Sequence, residues 1–263
     1  MFIVTTQLAV ETEATPDKEK MKRREILEKK KAIGEIIRAA SAFDNDHLSA
    51  FPTFCHYHRN GLSVYLKSGR GDKLSSQLKQ YIQNLLKINM EGPYGSDWPA
   101  EEKVKRKEMV APEACYIFAR EAPDAVTNRS DELVEGERNT HVVDDGGPIV
   151  GFVHYRFTIE EAIPVLYVYE LQLEPRVQGK GLGKFLMQLM ELIACKSCMG
   201  AVVLTVQKAN LSAMDFYRSK LRYSISAVSP SRVHPLIGLE QKYEILCKAF
   251  DHEAKEVLEQ QVN

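Results

Sequence analysis

Apolar and polar positions alternate along this chain in two distinct rhythms. "ACYIFAREA" (114–122) and "PIVGFVHYRFTIEE" (148–161) alternate with a period of two and predict paired antiparallel strands. "VLYVYELQLEP" (165–175) is apolar almost throughout and predicts a central strand. "GAVVLTVQK" (200–208), "YSISAVSP" (223–230) and "KYEILCKAF" (242–250) predict three more. An Asn60-Gly61 turn leads into a further apolar strand within "AFPTFCHYHRNGLSVYL" (50–66). The helical period appears over 17–40, from Ser75 to Met90, from Phe185 to Cys195 and in "SAMDFYRSKL" (212–221). "EGPYGSDWP" (91–99), which holds the only tryptophan, reads as a loop, and the acidic stretch 123–147 as a surface loop. The order is helix, several antiparallel strands, then β-α-β-α-β-β, without internal repeats. That predicts an α+β fold with one mixed, mostly antiparallel sheet and flanking helices.

Composition narrows the picture. The chain has 263 residues, 44% hydrophobic and 27% charged, with a net charge of −1. As a whole it has no strong electrostatic preference for nucleic acid or membrane. No apolar run approaches the roughly 20 residues that cross a bilayer, and the start lacks the basic and apolar pattern of a signal peptide. Five cysteines without a secretory signal predict a reducing compartment. The sequon at Asn128 is then inert. Lysines and arginines crowd between Lys18 and Lys31, with Glu19, Glu25 and Glu28 among them. This stretch reads either as a solvated helix with internal ion pairs or as an address for nucleus, ribosomal RNA or nucleosomal DNA. The expected divisions are an N-terminal extension (1–47), a main domain (48–250) and a C-terminal tail (251–263). Cys195-x-x-Cys198 lacks a second pair at zinc spacing, and His56-x-His58 beside Cys55 is no stronger, so no metal site is expected.

The chemistry concentrates in "QGKGLGKF" (178–185), between a strand and a helix. A P-loop needs one more residue before Gly183-Lys184, and Ser or Thr where Phe185 stands. The dinucleotide fingerprint needs glycine where Leu186 stands. What remains is Gln178-x-x-Gly181-x-Gly183, or else a plain glycine turn into a core helix. Backbone N–H groups at a helix start are unpaired and carry partial positive charge. A pyrophosphate accepts several of them at once where no side chain blocks its approach. Lys180 and Lys184 add charge nearby.

This loop resembles the coenzyme A loop of the GNAT acetyltransferase superfamily. A second matching segment follows in the right order, Asn210-Leu-Ser-Ala213-Met-Asp-Phe216-Tyr217. The resemblance implies a GNAT acyl-CoA N-acyltransferase fold and acetyl-CoA as co-substrate. Gln178, Gly179, Lys180, Gly181, Leu182, Gly183 and Lys184 would then hold the pyrophosphate. Leu171, Gln172 and Leu173 would pair with the pantetheine arm, and Thr205 and Asn210 would flank its thiol end. "YGSDW", "VLYVYELQLE", "GKGLGKFLMQLMELIA", "LTVQK" and "SPS…KYEIL" further resemble the NatD family of N-terminal acetyltransferases. That family acetylates the α-amine of core histone tails beginning Ser-Gly-Arg-Gly. The similarity covers roughly residues 48 to 247.

By this resemblance Glu170 is the base, with Tyr169 beside it as the other catalytic residue, and the Leu171 N–H serves the thioester oxygen. Strand alternation places Tyr167 and Tyr169 on one face and Glu170 on the other, unless a bulge re-aims them. Tyr94, Trp98, Tyr167, Tyr169 and Tyr243 match positions around the peptide, and Trp98, in its polar loop, is the aromatic expected to face substrate. Thr158 and Glu160 occupy the places of two acids that grip the substrate arginine. Threonine cannot form that ion pair, so either Glu160 and the adjacent Glu161 suffice or the arginine preference is weaker here. The implied partners are core histone tails, with ribosome or nucleosome reached through the basic helix and no membrane. The implied setting is a monomer in cytoplasm and nucleus. Two rivals stay open: a GNAT enzyme acting on lysine or small amines, and a silent CoA-binding or ribosome-binding module.

Overall fold

The structure is a computed structural model that describes residues 16–42, 45–122, 147–238 and 240–260. The acidic stretch 123–147 and its sequon lie almost wholly outside the described residues. One eight-stranded sheet forms the centre, in the order β1-β2-β3-β4-β5-β6-β8-β7. The strands are β1 (His56–Arg59), β2 (Leu62–Arg70), β3 (Cys115–Glu121), β4 (Ile149–Glu160), β5 (Ile163–Leu173), β6 (Ala201–Gln207), β7 (Ser224–Ile225) and β8 (Tyr243–Ala249). Every neighbouring pair is antiparallel except β5 and β6. The expected mixed sheet is therefore present.

On one face lie α1 (Pro16–Ala40) and α4 (Leu182–Lys196). The fully buried Leu182, Leu186, Met187, Leu189 and Met190 of α4 pack on Val153, Leu166, Val202 and Leu204. Ala40 joins this core, whereas Met21, Ile26 and Leu27 near the start of α1 are exposed. On the other face lie α2 (Ser76–Tyr94), α3 (Trp98–Glu108) and α8 (His252–Leu258). Ser75 caps α2 through its side chain, accepting from the Leu78 N–H. Between β6 and β7, Asn210 likewise caps α5 (Leu211–Asp215), which runs on as a π-helix, Phe216–Lys220. Two short helices, α6 (Pro230–Val233) and α7 (Pro235–Gly238), precede β8.

Two expectations need correction. The stretch 91–99 is not a loop: α2 runs through Pro93 to Tyr94, and after one 3-10 turn α3 starts at Trp98. The expected strand at 223–230 shrinks to Ser224–Ile225. Within the C-terminal tail, α8 buries Ala254 and Leu258 against β6 and β8.

Candidate active site

The site begins where the sheet fails to stay paired. β5 and β6 are in register from Val165↔Ala201 to Val168↔Leu204 and then part. Beyond that point β5 pairs only with β4, so one edge of Tyr169–Leu173 has no strand beside it. Such an edge offers backbone N–H and C=O groups to a ligand. A cleft of about 1070 Å³ opens at the parting. It runs from Gln178, Gly179, Gly181, Gly183 and Lys184 at one end to Thr158 and Glu160 at the other. Leu171, Gln172, Leu173, Thr205 and Asn210 line it between, as the family resemblance implies.

A bulge sits at the same place. His154 pairs with Glu170 but Tyr155 pairs with Val168, so Tyr169 has no partner on β4. The extra residue shifts the alternation by one. Glu170 therefore shares a face with Tyr167 and Tyr169, rather than opposing them as strict alternation predicts. On that face Tyr169 stacks on His154, ring centres 4.9 Å apart, and the Arg156 guanidinium lies 4.3 Å from the Tyr169 ring centre. Tyr167 shares a 2.5 Å hydrogen bond with Thr205 Oγ1, and burial pushes its hydroxyl up to about 12.

Glu170 is buried and held on both oxygens. The Lys105 ammonium of α3 donates to Oε1, and Gln172 Nε2 donates to Oε2 at 2.8 Å. Burial works against the Lys105 charge, but Glu170 and Tyr94 raise its pKa above the ordinary lysine value. Glu108, one turn further along α3, lines the same cleft, and burial raises its carboxyl pKa. His154 is pushed down to about 3 by burial and by the Arg156 and Lys105 charges, so it is neutral and shuttles no proton near pH 7.

The glycine loop is fixed from outside. The Lys180 carbonyl accepts from Tyr57 Oη at 2.6 Å and Asn60 Nδ2 at 2.9 Å, both from the β1–β2 hairpin. Gln178 Nε2 donates to the Leu173 carbonyl, tying the loop to the end of β5. Gly179 and Gly181 adopt φ of +71° and +90°, which side-chain-bearing residues rarely tolerate. No side chain caps the start of α4 at Gly181, which leaves its first-turn amides for a ligand. These features fit an anionic diphosphate.

Several expected residues sit elsewhere. Trp98 is only 3% exposed and packs in the core under α2 and α3, because its loop is a helix start. It faces no substrate. Tyr243, on β8, is outside the cleft lining, as are the side chains of Lys180 and Leu182. Leu182 is wholly buried. The Leu173 carbonyl already accepts from Asn89 and Gln178, so it is not free for pantetheine. Asn210 lines the cleft while its Oδ1 accepts from the Ala213 N–H. Tyr94, Thr158, Glu160, Tyr167 and Tyr169 all line the cleft. Sequence reasoning missed Lys105, Glu108, Tyr57 and Asn60. A signal for α3 was present: Pro99 follows its first residue, Glu101 and Glu102 its start, and Lys105, Arg106 and Lys107 occupy its last turn.

Among the described residues no group of His, Cys, Asp and Glu could hold a metal, and no helix is long and apolar enough to cross a membrane. Solved structures to which the chain is similar include three enzymes. They are a Thermoplasma acidophilum PaiA N-acetyltransferase in complex with coenzyme A (16% identity, 72% of this chain and 100% of that one, TM-score 0.46); the NatC complex bound to Gag peptide and CoA (14%, 71% and 99%, 0.45); and Arabidopsis thaliana Naa50 in complex with the bisubstrate analogue CoA-Ac-MVNAL (16%, 70% and 99%, 0.41). Residues 98–221 match the sequence profile of the Acetyltransferase (GNAT) family. That segment spans the glycine loop, the bulge and the parting of β5 and β6, and the mixed sheet flanked by helices that contains it is the GNAT fold.

Proposed function

We propose that this chain transfers acetyl from acetyl-CoA to the free α-amine of a protein N-terminus. Its substrates are histone-type chains beginning Ser-Gly-Arg-Gly. The observation that supports this most is the continuity of the cleft. Its glycine-loop end suits a diphosphate, its middle carries Glu170 at the parting of β5 and β6, and its far end carries Glu160 and the tyrosines. Both substrates can then meet, and direct transfer needs no enzyme nucleophile. The Leu171 N–H, on the open edge of β5, serves the thioester oxygen.

An α-amine suits this cleft better than a lysine side chain. Near pH 7.4 roughly a third of α-amines are neutral, against about one lysine in a thousand. A carboxylate such as Glu170 suffices to take the remaining proton, directly or through one water. Tyr94, Tyr167 and Tyr169 give the peptide backbone an aromatic wall, and Glu160 gives an arginine in the third position a carboxylate. Histone tails as partners agree with work in cytoplasm and nucleus, and the exposed Lys20, Arg23, Arg24, Lys30 and Lys31 of α1 suit a contact with ribosome or nucleosome.

The test is a panel of Ser-Gly-Arg-Gly peptides with free or blocked N-termini and internal lysines, read by mass spectrometry. Acetyl is expected only on free N-termini. Lysine labelling in a blocked peptide would sink the α-amine reading, and no turnover at all would favour a silent CoA-binding module.

A further inference from the structure

The carboxylate on which the proposed chemistry depends is built as half of a pair. β5 supplies Glu170, and α3 crosses the same face of the sheet to bring Lys105 against it. The two side chains are 12% and 8% exposed. Tyr94 of α2 lies on the far side of the ammonium, which is 5.3 Å from its ring centre. A charge so enclosed needs partners to persist. Pairs of this kind are replaceable by well-packed apolar side chains without loss of stability, so stability alone is a weak reason for this one. Its place offers a better reason. Both members line the cleft, at the point where β5 leaves β6.

Resting on the acetyl-transfer reading above, we propose that Lys105 is a positioning residue for the transfer. Its ammonium holds the Glu170 carboxylate in one orientation, facing the amine that enters the cleft. In the step served, the amine nitrogen bonds to the acetyl carbon and the carbon–sulfur bond breaks. The proton lost by nitrogen passes to Glu170, directly or through one water, and the thiolate takes a proton from solvent. Lys105 exchanges no proton and acts only as a fixed charge.

The pair also bears on substrate class. Lys105 repels a second cation arriving beside Glu170, and a lysine side chain, with a pKa near 10.4, arrives almost wholly charged. An α-amine, with a pKa near 7.7–8.0, arrives partly neutral. Lys105 therefore favours α-amines over lysine side chains. The other ionisable groups that face Glu170 do not supply this charge. Tyr116 of β3 and Tyr217 of the π-helix are raised by burial and stay neutral, His154 of β4 is neutral, and Glu108 of α3 carries at most a like charge.

The experiment compares Lys105→Met, Lys105→Arg, Glu170→Gln and the Lys105→Met/Glu170→Gln double variant. Activity is read on a Ser-Gly-Arg-Gly peptide, with acetyl-CoA affinity measured by calorimetry. Glu170→Gln is expected to lower kcat by roughly 10²–10⁴. Lys105→Met is expected to lower it by about 10–100-fold through misplacement of the carboxylate, with acetyl-CoA affinity unchanged. Lys105→Arg should recover most of that loss. The double variant should be no slower than Glu170→Gln, because Lys105 acts only through that carboxylate. It leaves neither charge unpaired, so it reports even where Lys105→Met folds poorly. A double variant slower than Glu170→Gln by tenfold or more would overturn the inference, as would a well-folded Lys105→Met with native kcat. The Glu170 carboxyl ¹³C resonance reads the pair without substrate. It is expected to move or broaden in Lys105→Met, and an unchanged resonance overturns the inference whatever the native enzyme acetylates. Failure of the native protein to label α-amines would instead count against the function proposed above.

Discussion

Replacing each glycine of the loop by alanine should separate three demands that share one short segment. Gly181 sits at φ +90°, and a Cβ built there would stand 2.7 Å from Tyr57 Oη. The left-handed backbone costs a residue with a side chain about 1–2 kcal/mol. Moving Tyr57 aside loses its hydrogen bond to the Lys180 carbonyl, about 0.5–1.5 kcal/mol more. Gly181→Ala should thus lose about 1.5–3.5 kcal/mol of stability, which for a chain of this size lowers Tm by about 3–14 °C. Gly179 has φ +71° and nothing within 4 Å of a Cβ, so alanine there meets the backbone penalty alone, about 1–2 kcal/mol. Gly183 is different. Its φ is ordinary and its Cβ would meet Phe216 at 3.4 Å and Leu173 at 3.6 Å, normal contacts inside a helix. Gly183→Ala should melt at or slightly above the native temperature, since alanine is favoured over glycine in helices by about 0.5–1 kcal/mol. Its methyl group would enter the cleft between two lining residues, and acetyl-CoA should bind about tenfold more weakly, a loss of about 1.4 kcal/mol. The assays are thermal melting followed by circular dichroism and acetyl-CoA titration by calorimetry. Native melting of Gly181→Ala would refute the strain argument. Native affinity of Gly183→Ala would remove the loop as the ligand's contact.

Two further outcomes are expected. The unfolded chain binds a proton on His154 near its ordinary value of 6.5, whereas the folded chain holds that pKa at about 3. Below pH 6.5 the unfolded state therefore binds more protons, and stability falls with falling pH, by about 2 kcal/mol between about pH 7.5 and 5. His154→Phe keeps a ring between Tyr116 and Tyr169 and should lose that share of the slope in urea titrations at the two pH values; a slope equal to native would count against it. Glu160→Gln should lower kcat/KM for Ser-Gly-Arg-Gly peptides about tenfold more than for Ser-Gly-Ala-Gly peptides at fixed ionic strength. Thr158→Asp should sharpen the arginine preference, whereas equal losses for the two peptides would show that Glu160 does not read the arginine.

The glycine loop was legible because it needs local letters. Only glycine suits positions 179 and 181, and the strand and helix that flank them have strong periodicity of their own. The caps of α2 and α5 were legible for the same reason, since Ser75 and Asn210 act within three residues of themselves. What the letters hid was tertiary. Tyr57 and Asn60 meet Lys180 across more than a hundred residues, and nothing in a hairpin's own sequence names its target. Trp98 was misplaced because glycine, proline and serine around it suggested a turn. The turn is a single 3-10 step, and the proline sits in the first turn of α3 as an N-terminal residue. Missing α3 meant missing Lys105, so Glu170 appeared as a lone acid rather than one of a pair.

The bulge at Tyr169 explains why the pair exists. Under strict alternation Glu170 would turn toward α4, where Leu182, Leu186 and Met190 are fully buried. A carboxylate there would find no partner and would be expelled or protonated. One extra residue between Val168 and Glu170 turns it instead toward α3, whose lysine can meet it. The same residues end the pairing with β6, whose last matched partner is Val168. The irregular step thus frees a backbone edge and re-aims an acid in one stroke. A sheet continued regularly through 168–170 would bury Glu170 without charge and close the cleft. The candidate chemistry of this chain therefore depends on a local break in the same strand that holds the sheet together.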